Sequence, residues 1–210
     1  MMRMPLATLL LAALCITSAS AQSSTAASFA DAWSKVDNYS CSIVVHETLG
    51  NQVQDRRYDF WFKKPSEAKI EIVSGPGRGS GSVWHGGDTV LGHQGGLLRG
   101  IKLNVSLHDA RAVSLRGDTM NTASFGYILG VFQRGPTAEG SGQTIEGVAT
   151  DALVRTADPS AENGVTKDVL FLSKTTHLPV RRVRYAGDAI VKQEDFVNVK
   201  LNPGLQDSDF

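Results

Sequence analysis

The sequence predicts a mainly β protein of the α+β class, with one antiparallel sheet, an N-terminal helix and a second helix later in the chain. Runs of alternating apolar and polar residues, the period of a half-buried strand, recur between residues 39 and 201. Two stretches, at residues 23–36 and 122–133, instead space their apolar residues as one face of a helix does. Turn signals rich in Gly, Asn and Pro separate the runs, so consecutive strands are expected to pair as a meander.

The first 21 residues are expected to be a secretory signal peptide. Arg3 precedes an apolar run that is too short to span a bilayer, and small residues follow at Ala19-Ser20-Ala21. We therefore expect cleavage after Ala21. Residues 22–210 are then one exported domain, because that length can bury one sizeable core.

The charge balance, the cysteine count and the lengths of the apolar runs exclude several kinds of partner and of structure. Lys and Arg equal Asp and Glu at 21 each, and loss of Arg3 leaves the exported chain with a formal charge of −1. This balance implies neither nucleic acid nor an anionic membrane surface as a partner. The exported chain keeps a single cysteine, Cys41, so it cannot form an intramolecular disulfide. No later apolar run is long enough to cross a membrane.

The N-terminal helix is predicted over residues 23–36. Phe29, Ala32, Trp33 and Val36 lie on one helical face, and the Ser and Thr residues before them can cap the first turn.

A strand is predicted next, over residues 39–49. Cys41, Ile43 and Val45 share one of its faces, which predicts that Cys41 is a buried free thiol with a structural role.

The following hairpin, residues 57–73, is the stretch around which the sheet is expected to form. Tyr58, Phe60 and Phe62 alternate onto one face together with Lys64, and Trp61 lies on the other. The returning strand repeats the pattern with the apolar residues Ala68, Ile70 and Ile72. In a generic sheet such an aromatic row is either plain core or the wall of a ligand cavity.

The middle of the chain predicts two more strands and the second helix. Residues 101–107 alternate, and residues 112–115 are predicted as another short strand. The second helix has an apolar face at the i, i+3, i+4, i+7 positions, made of Phe125, Ile128, Leu129 and Phe132. This face is either an ordinary core contact or a lid over a cavity.

The last third of the chain predicts a loop followed by a ladder of strands. The loop, residues 135–147, is rich in Gly, Ser and Thr. The strands are predicted at residues 148–157, 166–172, 180–185 and 190–201.

The glycines between residues 75 and 81 do not indicate a phosphate-binding loop. No Gly-Lys-Ser/Thr follows them, and the next segment is typical of a strand rather than of a helix N-terminus. The tip of a hairpin explains them better, because glycine adopts backbone conformations that other residues avoid.

Metal and hydrolase sites have little support in the sequence. The polar residues His85, Asp88, His93, His108 and Asp109 are interrupted by glycines and lack the spacing of ligands on one strand face or one helix turn. No Gly-x-Ser-x-Gly motif marks a nucleophile. We therefore expect no metal, no cofactor and no enzymatic activity, and an envelope hydrolase remains only an alternative.

The chain resembles the LolA-like superfamily of periplasmic outer-membrane lipoprotein carriers. The resemblance rests on the order of three motifs: VDNY at residues 36–39, DFWFKKP at residues 59–65, and FVNVKLNP at residues 196–203. It implies a strongly curved antiparallel sheet that forms an incomplete barrel, with helices as a lid over a hydrophobic cavity for acyl chains. In the carriers an arginine before the proline latches the lid, and Lys64 stands there in this chain. Lysine lacks the planar fork of guanidinium, so such a latch would be built differently.

Taken with the resemblance, the residues predict a periplasmic, monomeric protein that binds the acyl chain of a lipid or lipoprotein without breaking bonds. The alternative within the same fold is a sensor or adaptor that binds an inner- or outer-membrane protein partner. The predicted ligand-binding residues are Tyr58, Phe60, Phe62, Lys64, Ile70, Ile72, Phe125, Ile128, Leu129 and Phe132.

Overall fold

The computed structural model describes residues 23–210, so the predicted signal peptide lies outside the described residues. These residues form two α-helices and one antiparallel sheet of twelve strands. The helices are α1 (Ser24–Ser34) and α2 (Phe125–Gln133). The strands are β1 (Asn38–Leu49), β2 (Gln52–Lys63), β3 (Glu67–Ser74), β4 (Gly81–Trp84), β5 (Thr89–His93), β6 (Lys102–Ser106), β7 (Thr137–Gly140), β8 (Thr144–Ile145), β9 (Val148–Thr156), β10 (Lys167–Ser173), β11 (Pro179–Ala186) and β12 (Ala189–Leu201).

The order of the strands confirms the predicted fold class, a curved open sheet of meander type. It runs β6-β5-β4-β3-β2-β1-β12-β11-β10-β9-β7, and β8 adds to β9. Within the described residues β6 and β7 are the edges and do not pair, so the barrel is incomplete. Register shifts interrupt four pairings, and such bulges increase the local twist of a sheet.

One face of the sheet, the covered face, carries both helices. On β1 this face is formed by Tyr39, Cys41, Ile43 and Val45, which are all buried. On β2 it carries Phe60 and Phe62, paired in register with Cys41 and Tyr39. The predicted alternation of this hairpin is confirmed, because Phe60 and Phe62 are buried and Trp61 is half-buried on the outer face.

Helix α1 begins at a capped N-terminus. Ser23 Oγ accepts a hydrogen bond from Ala26 N at 3.1 Å. The carboxylate of Glu139 on β7 accepts from Thr25 N at 3.1 Å and from Thr25 Oγ1 at 2.6 Å. These bonds hold the pKa of Glu139 below its ordinary value and tie α1 to the β7 edge.

Aromatic rings join the helices to the covered face. Phe125, the first residue of α2, stacks on Tyr39 with ring centres 4.3 Å apart, and its N–H donates to Tyr39 Oη. Trp33 of α1 contacts Tyr39, Phe62 and Phe125 at 5.8 to 6.3 Å between ring centres. The core therefore lies between the helices and the centre of the sheet.

Two local predictions were wrong. Residues 112–115 form no strand: Ser114 N donates to Asp118 O and Gly117 N to Ser114 O, so the backbone closes a turn on itself. The predicted loop at residues 135–147 contains β7 and β8, which pair with β9. Pairing with β9 supplies the ladder bonds that a Gly- and Thr-rich segment does not signal by its own pattern.

Candidate functional site

A cavity of about 760 Å³ lies on the covered face, beside the helices. Strands β1 to β6 and β12 form its wall, and the connection from β6 to α2, residues 107–124, lies over it. We call residues 107–124 the cover segment. The volume is within the usual range for sites that bind small molecules.

The sheet gives the cavity an apolar wall. Ile43 and Val45 of β1, Tyr58 of β2, and Ile70 and Ile72 of β3 line it. These residues stand at alternate positions of three adjacent strands, so one side of each strand supplies the apolar surface. Arg56 of β2 also lines the cavity and donates to Tyr58 Oη at 3.3 Å.

The cover segment closes the cavity with small and flexible apolar side chains. Val113, Met120 and Ala123 line the cavity from this side. Polar bonds to the sheet fix the segment: Leu115 N donates to Glu47 Oε2 at 3.0 Å, and Arg116 Nη1 donates to Thr48 O at 2.6 Å. The middle of the cover is therefore held by polar contacts, and its ends are held by Leu107 and Met120, which are buried in the core.

A buried charge cluster forms the end of the cavity towards β11 and β12. Lys192 Nζ lies 2.8 Å from Asp118 Oδ2 and 3.1 Å from Glu194 Oε1. It also lies 2.6 Å from Glu47 Oε1, as an ion pair without hydrogen-bond geometry. Arg184 donates to both carboxylate oxygens of Asp118. This cluster links the cover segment to three strands, because Asp118 belongs to the cover and its partners to the sheet.

Lys192 and Asp118 of the cluster stay ionised although burial disfavours their charged forms. Burial lowers the pKa of Lys192, but the carboxylates of Glu194, Asp118 and Glu47 outweigh this effect and raise the pKa above its ordinary value. Burial likewise raises the pKa of Asp118, and Lys192 and Arg184 outweigh it, so that the pKa lies well below its ordinary value.

Two glycine turns meet at the mouth of the cavity. A Cβ on Gly95 would come within 2.3 Å of Arg78 O, and a Cβ on Gly79 within 3.3 Å of Gly95 Cα. The β3–β4 turn can therefore touch the segment after β5 only because these positions lack side chains. The predicted hairpin tip is confirmed as this turn between two paired strands.

Three of the predicted site residues, Tyr58, Ile70 and Ile72, line the cavity. The other apolar ones are packed in the core beneath α1 and α2, and none of them lines the cavity: Phe60, Phe62, Phe125, Ile128, Leu129 and Phe132. Helix α2 thus lies beside the cavity, and the cover segment lies over it. Ligand contact for these six side chains stays a prediction, and it requires the helices to move off the sheet.

Lys64 lies at the C-terminal end of α1 rather than at the cavity mouth. Its Nζ donates to Trp33 O at 2.8 Å and lies 4.4 Å from the centre of the Trp33 ring. The Trp33 carbonyl also accepts from Val36 N at 3.1 Å, so the ammonium adds a second bond to this oxygen and complements the helix dipole. The lysine before Pro65 therefore holds a helix to the sheet through one ammonium group.

The outer rim and the charge cluster were not predicted from the sequence. Leu98, Ile101 and Leu103 line the cavity, and each is about half exposed. The signal for Ile101 and Leu103 was the alternation of residues 101–107, which predicts a strand but not its place at the mouth. The signal for the cluster was the charged residues at alternate positions of two apolar strands: Arg182, Arg184, Lys192 and Glu194.

Residues 23–210 contain no group of three or more His, Cys, Asp or Glu side chains that could hold a metal ion. None of their helices is long and apolar enough to cross a membrane. Cys41 is a buried free thiol, as predicted, and burial raises its pKa above the ordinary value.

Several solved structures superpose on most of this chain. An uncharacterized conserved protein from Thermus thermophilus superposes with a TM-score of 0.56 at 10% identity, over 88% of this chain and 91% of that chain. MucB superposes with a TM-score of 0.52 at 12% identity, over 89% of this chain and 62% of MucB. A LolA superfamily protein from Nitrosomonas europaea aligns over 90% of this chain and 98% of that chain at 15% identity, with a TM-score of 0.42.

No protein-family model and no curated protein matches the sequence. At identities of 10 to 15% the structural similarity shows the fold and not the function. Within that limit the fold that the resemblance implied is confirmed: the chain forms an open curved antiparallel sheet with its helices on one face, and it superposes on the Thermus protein and on MucB.

Proposed function

We propose that this chain is a non-enzymatic protein of the cell envelope that binds the acyl chain of a lipid or lipoprotein. The observation that carries the proposal is the cavity of about 760 Å³ with an apolar wall of Ile43, Val45, Tyr58, Ile70 and Ile72. The signal peptide predicted before residue 22 and the LolA-like fold support export and an envelope role.

Burial of apolar area is sufficient to hold such a ligand. Each methylene that leaves water gains about 0.8 kcal/mol, so an acyl chain needs no specific polar contact to bind. When the ligand is released, the wall and the cover segment must come into contact again. Contacts between the protein and the acyl chain are then replaced by contacts within the protein. Val113, Met120 and Ala123 of the cover segment can make those contacts with the wall.

The half-exposed rim offers a route of entry. Leu98, Ile101 and Leu103 lie where the cavity opens beside the β6 edge, and Leu97 next to them is fully exposed. Apolar side chains at a cavity mouth lower the cost of passing a methylene chain from one apolar surface to another.

We extend the proposal to the six predicted residues in the core. A chain longer than the cavity would continue along the covered face beneath α1 and α2, where Phe60, Phe62 and the apolar face of α2 lie. Lys64 would then act on the ligand indirectly, because it ties α1 to the end of β2.

An adaptor is the second candidate function, and the superposition with MucB favours it. MucB has been solved in complex with MucA. An adaptor of this kind would keep its ligand and change its affinity for a membrane protein, whereas a carrier would hand the ligand on. Transfer of labelled lipid from the purified protein to acceptor vesicles separates the two candidates.

Replacement of Ile72 tests the binding proposal. Ile72→Asp places an unpaired carboxylate in the apolar wall, and we expect at least a tenfold loss of affinity for a fluorescent fatty-acyl probe, or about 1.4 kcal/mol. The matched control is Val73→Asp, the next residue of the same strand, which is exposed and does not line the cavity.

The two variants share the change from a β-branched side chain to Asp in β3, so the comparison removes the effect on strand propensity. Circular dichroism and the thermal midpoint establish that both are folded. A folded Ile72→Asp variant that binds the probe as tightly as Val73→Asp would refute the cavity as the acyl site.

A further inference from the structure

A second cavity, of about 420 Å³, lies between α2, the cover segment, strands β9 and β11, and the connection between β9 and β10. Its lining is unusual in charge, with five arginines against two carboxylates. The charged residues are Arg116, Arg134, Arg155, Arg182, Arg184, Asp118 and Glu162.

The carboxylates near this cavity are already committed to cations. Asp118 accepts from Arg184 and Lys192, and Glu162 accepts from Arg155 at 2.6 and 2.8 Å. Asp168 lies behind the lining, fully buried, where Arg182 and Arg155 donate to it. What faces the cavity is therefore mainly guanidinium.

Arg116 is buried without a carboxylate partner among residues 23–210. Its side chain donates only to the backbone oxygens of Thr48 and Asn163, and its Nε has no partner. Arg116 is 6% exposed, and burial together with the charge of Arg184 lowers its pKa. A buried cation in this state is stabilised by any anion that can approach it.

Two further guanidinium groups have donors to spare. Arg182 uses Nε and Nη2 on Asp168, and no protein acceptor within the described residues bonds its Nη1. Arg134, the C-cap of α2, is exposed and lies 5.9 Å from the ring of Tyr127. Since a guanidinium carries five N–H donors, Arg116, Arg134 and Arg182 together can surround a group with several oxygens.

The second cavity adjoins the proposed acyl cavity. Asp118, Thr119 and Thr122 of the cover segment line both of them. The negative charge of Asp118 on this shared side is neutralised by Arg184 and Lys192. An apolar space and a cationic space thus share one wall, which is the arrangement that an amphiphile with an anionic head requires.

We propose that the arginine-lined cavity binds a phosphate group, carried by the amphiphile whose acyl chain occupies the apolar cavity. The inference rests on the proposed function for the placement of the chain, but the anion site itself rests on the arginines. Phosphate is favoured as the anion because its several oxygens accept bidentate bonds from more than one guanidinium at once.

Two lipids that differ only in the phosphate test this proposal. Lysophosphatidic acid and monoacylglycerol with the same acyl chain are titrated into the protein, and we expect at least tenfold tighter binding of the phosphate-bearing lipid. Arg134→Gln should remove most of this preference and leave the affinity for monoacylglycerol unchanged, and Arg116→Met should also remove most of the preference. The matched control Arg99→Gln removes an exposed arginine that lines neither cavity and should keep the preference.

Arg134 is exposed, so its variant remains informative even if Arg116→Met is poorly folded. Equal affinities of wild type for the two lipids would overturn the proposal. If neither lipid binds, the proposed acyl-binding function is refuted. The anion site is then tested separately, by measuring the thermal midpoint with and without inorganic phosphate. A rise in the thermal midpoint with phosphate that Arg134→Gln lacks would support an anion site without a lipid, and no rise would overturn it.

Discussion

At the scale of single residues, Lys64 ties helix α1 to the end of β2 through one side chain. Its ammonium donates one hydrogen bond to Trp33 O and lies over the indole ring, where an arginine would offer a planar fork. The contact acts on the last turn of α1, so the residue controls a helix that packs on the core rather than the ligand itself.

We expect Lys64→Ala to destabilise the protein by about 1–2 kcal/mol, since it removes a charge-assisted hydrogen bond and a cation–π contact. Hydrogen exchange should show faster exchange in residues 24–34, while the affinity for the fatty-acyl probe stays within tenfold of wild type. Lys64→Arg should restore protection, because the guanidinium can also reach Trp33 O. Unchanged protection of α1 in Lys64→Ala would contradict this role.

At the scale of elements, the contact between α1 and α2 depends on one of the two glycines in α2. A Cβ on Gly126 would lie 3.0 to 3.2 Å from atoms of the Trp33 indole, whereas a Cβ on Gly130 would meet only Arg134 Nη1 at 3.6 Å. Trp33 cannot easily give way, because it packs against Phe62 and Phe125. Gly126 is therefore a packing requirement, and Gly130 is not.

The two glycines predict opposite effects of the same substitution. Gly130→Ala should stabilise the protein by up to about 1 kcal/mol through helix propensity. Gly126→Ala gains the same propensity but overlaps Trp33, so we expect a net loss of stability. Urea unfolding measures both, and an equal gain in the two variants would show that Trp33 moves aside at no cost.

At the scale of the whole molecule, the sequence predicts the features that depend on a local pattern. It does not predict those that depend on partners far away in the chain. The alternation of residues 57–64 is unbroken, so the burial of Phe60 and Phe62 followed from the period alone. Lys192 and Arg184 alternate in the same way, but their burial depends on Asp118 and Glu47, which are far away in the chain. No local pattern contains that pairing.

The second helix and the cover segment show the same contrast between local pattern and distant partners. The α2 face was predicted from its spacing, and it is buried in the core, but spacing does not say which part of the sheet a helix covers. Residues 107–124 have no sustained period, because turns and a short 3₁₀ helix hold them. Their place over the cavity could not be predicted, since it depends on bonds to Glu47, Thr48 and Arg184.

Asp118 connects the cover segment to β11 and β12, and this connection should be visible in the pH dependence of stability. Its pKa is held well below the ordinary value of 3.8, so its contribution is fully present above about pH 4. As the pH falls below 3.8 the unfolded chain binds a proton that the folded chain does not, and the contribution is lost progressively.

We therefore expect Asp118→Asn to lower the free energy of unfolding by about 3–5 kcal/mol at pH 7, because Lys192 and Arg184 lose a buried partner. Below pH 4 the gap to wild type should narrow by about 1.4 kcal/mol per pH unit, since the variant has no carboxylate to protonate at this position. Urea unfolding between pH 7 and pH 2.5 measures the gap, and Asp188→Asn, in an exposed turn, is the matched control. A gap that stays constant over this range would mean that Asp118 does not hold the cover segment as an ionised carboxylate.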